Sequence, residues 1–148
     1  MIDGQKSISF VCLANYCRSP VAKMIFKDKF KNSLKVDSAG INPMVSAGMD
    51  LRSFDYLKEN NIAYDVHNPK KVDKNFLKSS DVIFAMDAMV LMHLNKTYKN
   101  FRYKFKLFTF QHRNLQIKDP YRLSEEEYKK VMDQIKFVVD SFKLDELC

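Results

Sequence analysis

No stretch of this 148-residue chain holds the roughly 18 consecutive apolar residues that a membrane-spanning helix needs. The N-terminal Met-Ile-Asp-Gly-Gln-Lys has no apolar core of the kind a secretory signal carries. No membrane partner is expected, and a cytoplasmic location is the default, with export by a route that needs no signal left open. Cysteine is scarce and odd in number: there are three, at positions 12, 17 and 148. That excludes a secreted disulfide framework and suits a reducing compartment. Cys-x-x-Cys is missing, which excludes thioredoxin- or glutaredoxin-like exchange. No Cys/His cluster has metal-ligand spacing, so neither a metal nor any other cofactor is expected. Repeats, linkers and low-complexity tracts are also missing, and residues 1–148 read as a single domain long enough to bury one core.

The composition is that of a globular protein, 46% hydrophobic and 29% charged. The formal charge of +7 rests on scattered lysines without an RNA-binding aromatic signature or zinc-finger spacing, so no nucleic-acid partner is expected. Most of this charge reads as a solvated surface, and its field steers anionic substrates.

The chain is organised around Val11-Cys12-Leu13-Ala14-Asn15-Tyr16-Cys17-Arg18-Ser19-Pro20. Ile8-Ser9-Phe10-Val11 leads in as a short buried strand. Ser19-Pro20 leads out as a helix start, with Ser as the cap and Pro at the first helical position. Cys12 therefore ends a strand, Arg18 opens a helix, and the loop between them is placed to turn backbone N–H groups inward around an anion. Arg18 offers a planar fork for two phosphate oxygens. Positive potential at the base of such a cradle favours the thiolate form of Cys12, a nucleophile. The bland alternative is a buried cysteine on a core strand followed by a surface arginine.

Downstream, Ser19–Phe30 carries apolar residues at helical spacing and Leu34–Asp37 reads as a second strand, so the pair is parallel with a right-handed crossover. Met49–Asn60 reads as a helix and Ile62–Val66 as a short extended piece. Asp73 caps a short helix through Leu77. Asp81–Ala85 is a third strand, and Asp87 caps a helix from Ala88 to Leu94. Tyr103–Phe110 alternates Lys with aromatics and reads as a fourth strand. Ser124 and Glu127 form a capping box before a sustained apolar stripe through Phe142. The fold class is α/β: one four-stranded parallel open sheet with helices on both faces, the phosphate-binding loop lying between the first strand and first helix.

Residues 11–20 closely resemble the N-terminal signature of the low-molecular-weight protein tyrosine phosphatases. Asp119-Pro120-Tyr121, 107 residues beyond Cys12, resembles that family's general-acid loop. The resemblance extends over essentially the whole chain in length, motif order and spacing. It implies phosphomonoester hydrolysis through a phosphocysteine on Cys12. Arg18 and the loop amides would hold the phosphate, and Asp119 would act as general acid and then base. The substrate-binding set is Leu13, Ala14, Asn15, Tyr16, Cys17, Ser19 and Tyr121. A loop of inward-pointing donors is strained unless braced; the resemblance assigns that to Asn15, Ser19 and Ser38, and to His67 if one residue is inserted nearby. His93 and His112 have no such match and read as surface residues, and Cys148 as irrelevant to the chemistry.

For Cys17 two readings stand: a reversible disulfide with Cys12, as the resemblance implies, or a small residue packed beneath the loop. Tyr16 and Tyr121 would flank the mouth and suit phosphotyrosine; relatives acting on phosphoarginine carry a small Thr where this chain has Tyr16. The partners implied are phosphotyrosine-containing proteins and inorganic phosphate or another oxyanion in the site, with the chain a monomer or weakly self-associating. Three departures bear on specificity: Ala14 in place of the usual Gly, Arg122 in place of a second aromatic, and no aromatic in Ile41–Met44. An arsenate reductase on the same fold would need further cysteines in mid-chain, and Val82–Met89 has none. A non-catalytic phospho-binding module would be favoured had Cys12, Arg18 or Asp119 been missing.

Overall fold

The first strand, β1 (Lys6–Cys12), is buried on both faces and lies inside the sheet, as its near-continuous apolar run requires. The computed structural model describes residues 5–147; Cys148 and the first four residues lie outside them. In chain order the other elements are α1 (Arg18–Phe30), β2 (Leu34–Gly40), α2 (Leu51–Glu59), α3 (Lys74–Ser79), β3 (Val82–Ala85), α4 (Ala88–Thr97), β4 (Phe105–Leu107) and α5 (Glu125–Asp140). The strands form one parallel sheet in the order β2-β1-β3-β4, with Phe10 opposite Ser38 on one side and Phe84 on the other. No helix among the described residues is long and apolar enough to cross a membrane.

The period-2 geometry of β1 sorts its side chains between two cores. Ile8, Phe10 and Cys12 join the cluster built with α1, α2 and α5, whereas Val11 joins the one built with α3 and α4. Helices therefore cover both faces. The larger core is phenylalanine-rich: Phe10 meets Phe26, Phe84 and Phe108 at ring separations of 5.3, 5.7 and 5.8 Å.

Several boundaries differ from expectation. The fourth strand is cut to Phe105–Leu107 because the flanking residues wind into 3₁₀ turns at Lys99–Lys104 and Phe110–His112. The Lys104 ammonium is drawn to the carbonyls of Leu77 and Ser80. Ile62–Val66 pairs with no strand. Helix α2 starts at Leu51, where the Asp50 carboxylate accepts the Arg52 N–H at 2.9 Å. The caps at Asp73, Asp87 and Ser124 accept from Phe76, Val90 and Glu127, but α3 and α4 run on to Ser79 and Thr97.

After β1 the chain steps to β2 on one side, and it later returns to β3 on the other. The loops leaving β1 and β3 therefore diverge at the carboxyl end of the sheet and leave a crevice there, with Cys12 on its floor.

Candidate active site

The conformation of the loop follows from where its carbonyls go. Six consecutive carbonyl oxygens, from Cys12 to Cys17, are each taken by a donor outside the loop. Cys12, Leu13 and Ala14 accept from the N–H groups of Ile41, Asn42 and Met44 at 3.1, 2.8 and 3.0 Å. Asn15 accepts from His67 Nε2 at 2.7 Å, Tyr16 from the Asp50 N–H at 3.1 Å and Cys17 from Ser53 Oγ at 3.0 Å. With every carbonyl turned outward, the N–H groups are left for the concave side, the geometry of an anion nest. Asn15 is the one loop residue with positive φ, 53°, which asparagine tolerates. Ala14 is not among the residues with positive φ, so its methyl costs no left-handed strain.

Helix α1 begins at Arg18, with Cys17 at the cap position making no side-chain cap hydrogen bond. The expected Ser19 cap and Pro20 at the first helical position are therefore both shifted: Pro20 is the third helical residue. The physical reason is that Ser19 Oγ turns to Cys12 Sγ and Asn15 Nδ2 in place of the helix's opening amides. Ser19 Oγ accepts from Asn15 Nδ2 at 2.9 Å and shares a hydrogen bond with Cys12 Sγ, 2.9 Å away, in which it is the donor whenever the sulfur is a thiolate. The Asn15 N–H also points at Sγ, at 3.2 Å. The second hydrogen of Nδ2 goes to Ser38 Oγ at 3.0 Å, and Oδ1 accepts the Lys70 N–H at 3.0 Å. Asn15, Ser19, Ser38 and His67 are thus brought together beneath the loop, all buried. Burial holds the His67 imidazole below its ordinary value, so the neutral ring donates Nε2–H to Asn15.

Arg18 is 2% exposed and fixed by two contacts of Nη1, to Asp87 Oδ2 at 2.7 Å and to the Ile117 carbonyl at 2.9 Å. Asp119 is exposed above, its Oδ1 accepting the Tyr121 N–H at 3.2 Å. The Tyr16 and Tyr121 rings meet edge to face, 6.0 Å apart. Cys12, Leu13, Ala14, Tyr16, Cys17, Arg18, Met44, Asp119 and Tyr121 enclose a cleft of about 110 Å³, the scale of a phosphate group. Hollows of about 360 Å³ lie elsewhere, but none of them holds a nucleophile facing an acid and a cation. Cys12 and Cys17 are both free. The Cys17 thiol packs under the loop toward Asp50 Oδ2 at 3.8 Å, and burial pushes it up to about 12, so it is a neutral thiol at pH 7. His93 is exposed and His112 half-buried against Phe137.

Four residues escaped the sequence reading. Asp87, read only as a helix cap, also holds Arg18. Gly40 closes β2 where an added Cβ would lie 2.9 Å from both Asn15 N and Leu13 O. Asp50 and Arg52 tie the two halves of the site together. Arg52 chelates both Asp50 oxygens at 3.0 Å and donates to the carbonyls of Tyr121 and Leu123 at 2.9 and 3.2 Å. An Asp-x-Arg at a helix start was the available signal.

A family model for low molecular weight phosphotyrosine protein phosphatase matches residues 7–146. The low molecular weight protein-tyrosine-phosphatase Ptp of Acinetobacter johnsonii is 32% identical over 118 residues, which are 79% of this chain and 81% of that protein. The structure of Vibrio vulnificus Wzb in complex with benzylphosphonate aligns with a TM-score of 0.86 and 25% identity, covering 93% of this chain and 97% of that one. The YwlE arginine phosphatase of Geobacillus stearothermophilus shares the fold, with a TM-score of 0.85 and 23% identity over 91% of this chain and 88% of that one. Sequence match and geometry converge on the same loop and nearly the whole length, and the chain belongs to the low molecular weight phosphotyrosine protein phosphatase family.

Proposed function

We propose that this chain hydrolyses phosphotyrosine in proteins in two steps on Cys12. Sγ attacks phosphorus opposite the phenolic oxygen, and the S–P bond forms as the P–O bond breaks. The amides of Leu13 to Arg18 and the Arg18 guanidinium hold the equatorial oxygens as charge redistributes. Asp119 gives its proton to the departing oxygen. The resulting carboxylate then takes a proton from water, whose oxygen displaces Sγ and releases inorganic phosphate. Ser38, Ser19 and His67 act by holding the loop. The observation that carries this reading is the outward pinning of six consecutive carbonyls around Sγ, with Arg18 fixed beside it and Asp119 across the cleft.

Phosphotyrosine fits the walls: the Tyr16 and Tyr121 rings, packed edge to face, give the cleft an aromatic border for a phenyl ring, and the small cleft takes the phosphate. In this reading residues 1–148 act as one phosphatase domain in the reducing cytoplasm, as a monomer or weak self-associate, on phosphotyrosine proteins. The wild type is expected to hydrolyse 4-nitrophenyl phosphate at about pH 6 with EDTA present, and to be inhibited competitively by phosphate or vanadate. Phosphate binding without turnover would reduce the chain to a binding module. A second expectation concerns the pinned loop. Gly40→Ala forces a methyl against Asn15 N and Leu13 O, so kcat should fall about 10- to 100-fold for every aryl phosphate alike. Steady-state kinetics checks it, and an unchanged kcat would show that the loop yields freely.

A further inference from the structure

Eleven large apolar side chains stand exposed among the described residues, and they are unevenly distributed. Leu13, Val45, Leu51, Tyr64 and Val66 sit on the phosphate loop or on the three segments whose hydrogen bonds hold it, with Val66 87% and Leu51 68% exposed. Met49, Leu51, Phe54, Tyr64 and Val66 line a groove of about 360 Å³, with His67 at one end. The Phe54 and Tyr64 rings meet edge to face at 4.8 Å and stiffen it. Its one carboxylate, Asp65, is paired with Lys27 and leaves no unmatched charge there.

The groove adjoins the cleft. One wall, Met49 and Leu51, brackets Asp50, whose N–H holds the Tyr16 carbonyl. The other, Val66, precedes His67, which holds the Asn15 carbonyl. A polypeptide with its phosphotyrosine in a cleft of about 110 Å³ must lay its neighbouring residues on the surfaces around the mouth. The groove flanks the loop on the side of its Asn15 and Tyr16 carbonyls, and it is apolar and concave, which is unusual for solvent-exposed loops.

We propose that the groove between α2 and the 64–67 segment is a substrate subsite, which takes a large aliphatic or aromatic side chain a few residues from the phosphotyrosine. This rests on the phosphatase reading above and adds a sequence preference to it. The chain would favour phosphotyrosine flanked by Leu, Ile or Phe over the same site flanked by Ser or Asp. The gain belongs to polypeptides alone, because a small aryl phosphate reaches only the cleft.

The test uses phosphotyrosine peptides of about ten residues carrying Leu, Ser or Asp at the positions within three of the phosphotyrosine, an extended reach of about 10 Å on either side. The wild type is compared with Leu51→Ser/Val66→Ser, a change confined to exposed side chains. Wild-type kcat/KM should favour the best Leu peptide about 10-fold over its Ser counterpart, and the double variant should cut that ratio to about 2-fold. Hydrolysis of 4-nitrophenyl phosphate should be equal in both proteins. A wild type indifferent to the flanking residue overturns the proposal, as does a preference that survives the double variant. So does a concentration-dependent dimer, seen by sedimentation, that the double variant abolishes, because the groove would then hold a second copy of the chain. Peptide affinity of Cys12→Ser is measured in parallel. No wild-type turnover removes the phosphatase reading, whereas equal affinity for Leu and Ser peptides removes the groove.

Discussion

Replacing Cys12 with serine is expected to leave a folded protein that still binds phosphate and hydrolyses aryl phosphates at least about 10⁴-fold more slowly. The size of the loss comes from the nucleophile. A thiol is readily ionised and intrinsically nucleophilic, whereas a serine hydroxyl needs a base, and no carboxylate or imidazole among the described residues hydrogen-bonds to this position. Among the described residues, the hydrogen-bond partners of Sγ are the Asn15 N–H at 3.2 Å and the Ser19 hydroxyl at 2.9 Å. A backbone N–H only donates and a serine hydroxyl is far too weak a base, so neither can remove a proton from a hydroxyl. Binding should survive because a serine oxygen can keep both of these contacts, while the loop carbonyls are pinned from outside and Arg18 is held by Asp87 and Ile117. Equilibrium binding of vanadate and single-turnover release of nitrophenol measure the two properties separately. A serine variant keeping more than about 1% of the activity would mean that Cys12 is not the nucleophile.

What was legible from the chain is what lies close together in it. The strand, loop and helix of residues 6–30 are one contiguous run, so Cys12, Arg18 and a loop with its N–H groups turned inward could be read without knowing the fold. Asp119 was reachable because a second short motif marks it. His67 required an insertion to be allowed for, and its geometry beneath the loop fits that placement. The rest depended on tertiary neighbours. Asp87 is a helix cap through Oδ1, which accepts the Val90 N–H at 2.8 Å, and the Arg18 anchor through Oδ2; a sequence shows the first role and hides the second. Gly40 lies three residues past the stretch that reads as the second strand, and only the close approach of the phosphate loop explains why a side chain is excluded there. The shortened β4 shows the converse limit. Alternating Lys and aromatic residues predicts strand over eight positions, but an edge strand with one neighbour keeps only the three that pair with β3.

Asp119→Asn is expected to separate the two proton transfers. The amide oxygen can still accept the Tyr121 N–H at 3.2 Å, and Arg52 still holds the carbonyls of Tyr121 and Leu123, so the loop stays where it is. What is lost is an ionisable group above the cleft. Phenyl phosphate leaves as a basic phenolate that needs a proton, and its kcat/KM should fall about 10²–10³-fold. Dinitrophenyl phosphate leaves without one, so its kcat/KM, which reports only formation of the phosphocysteine, should stay within about 10-fold of wild type. Its kcat should nevertheless collapse, because water attacking the phosphocysteine still needs the base that is gone. The intermediate then accumulates, and dinitrophenol should appear as a burst equal to the enzyme concentration. An equal loss of kcat/KM across leaving groups would remove proton donation from Asp119 and leave it only the shaping of the loop. A burst with leaving-group dependence would place both acid and base on this one carboxyl, since among the described residues no other carboxylate lines the cleft.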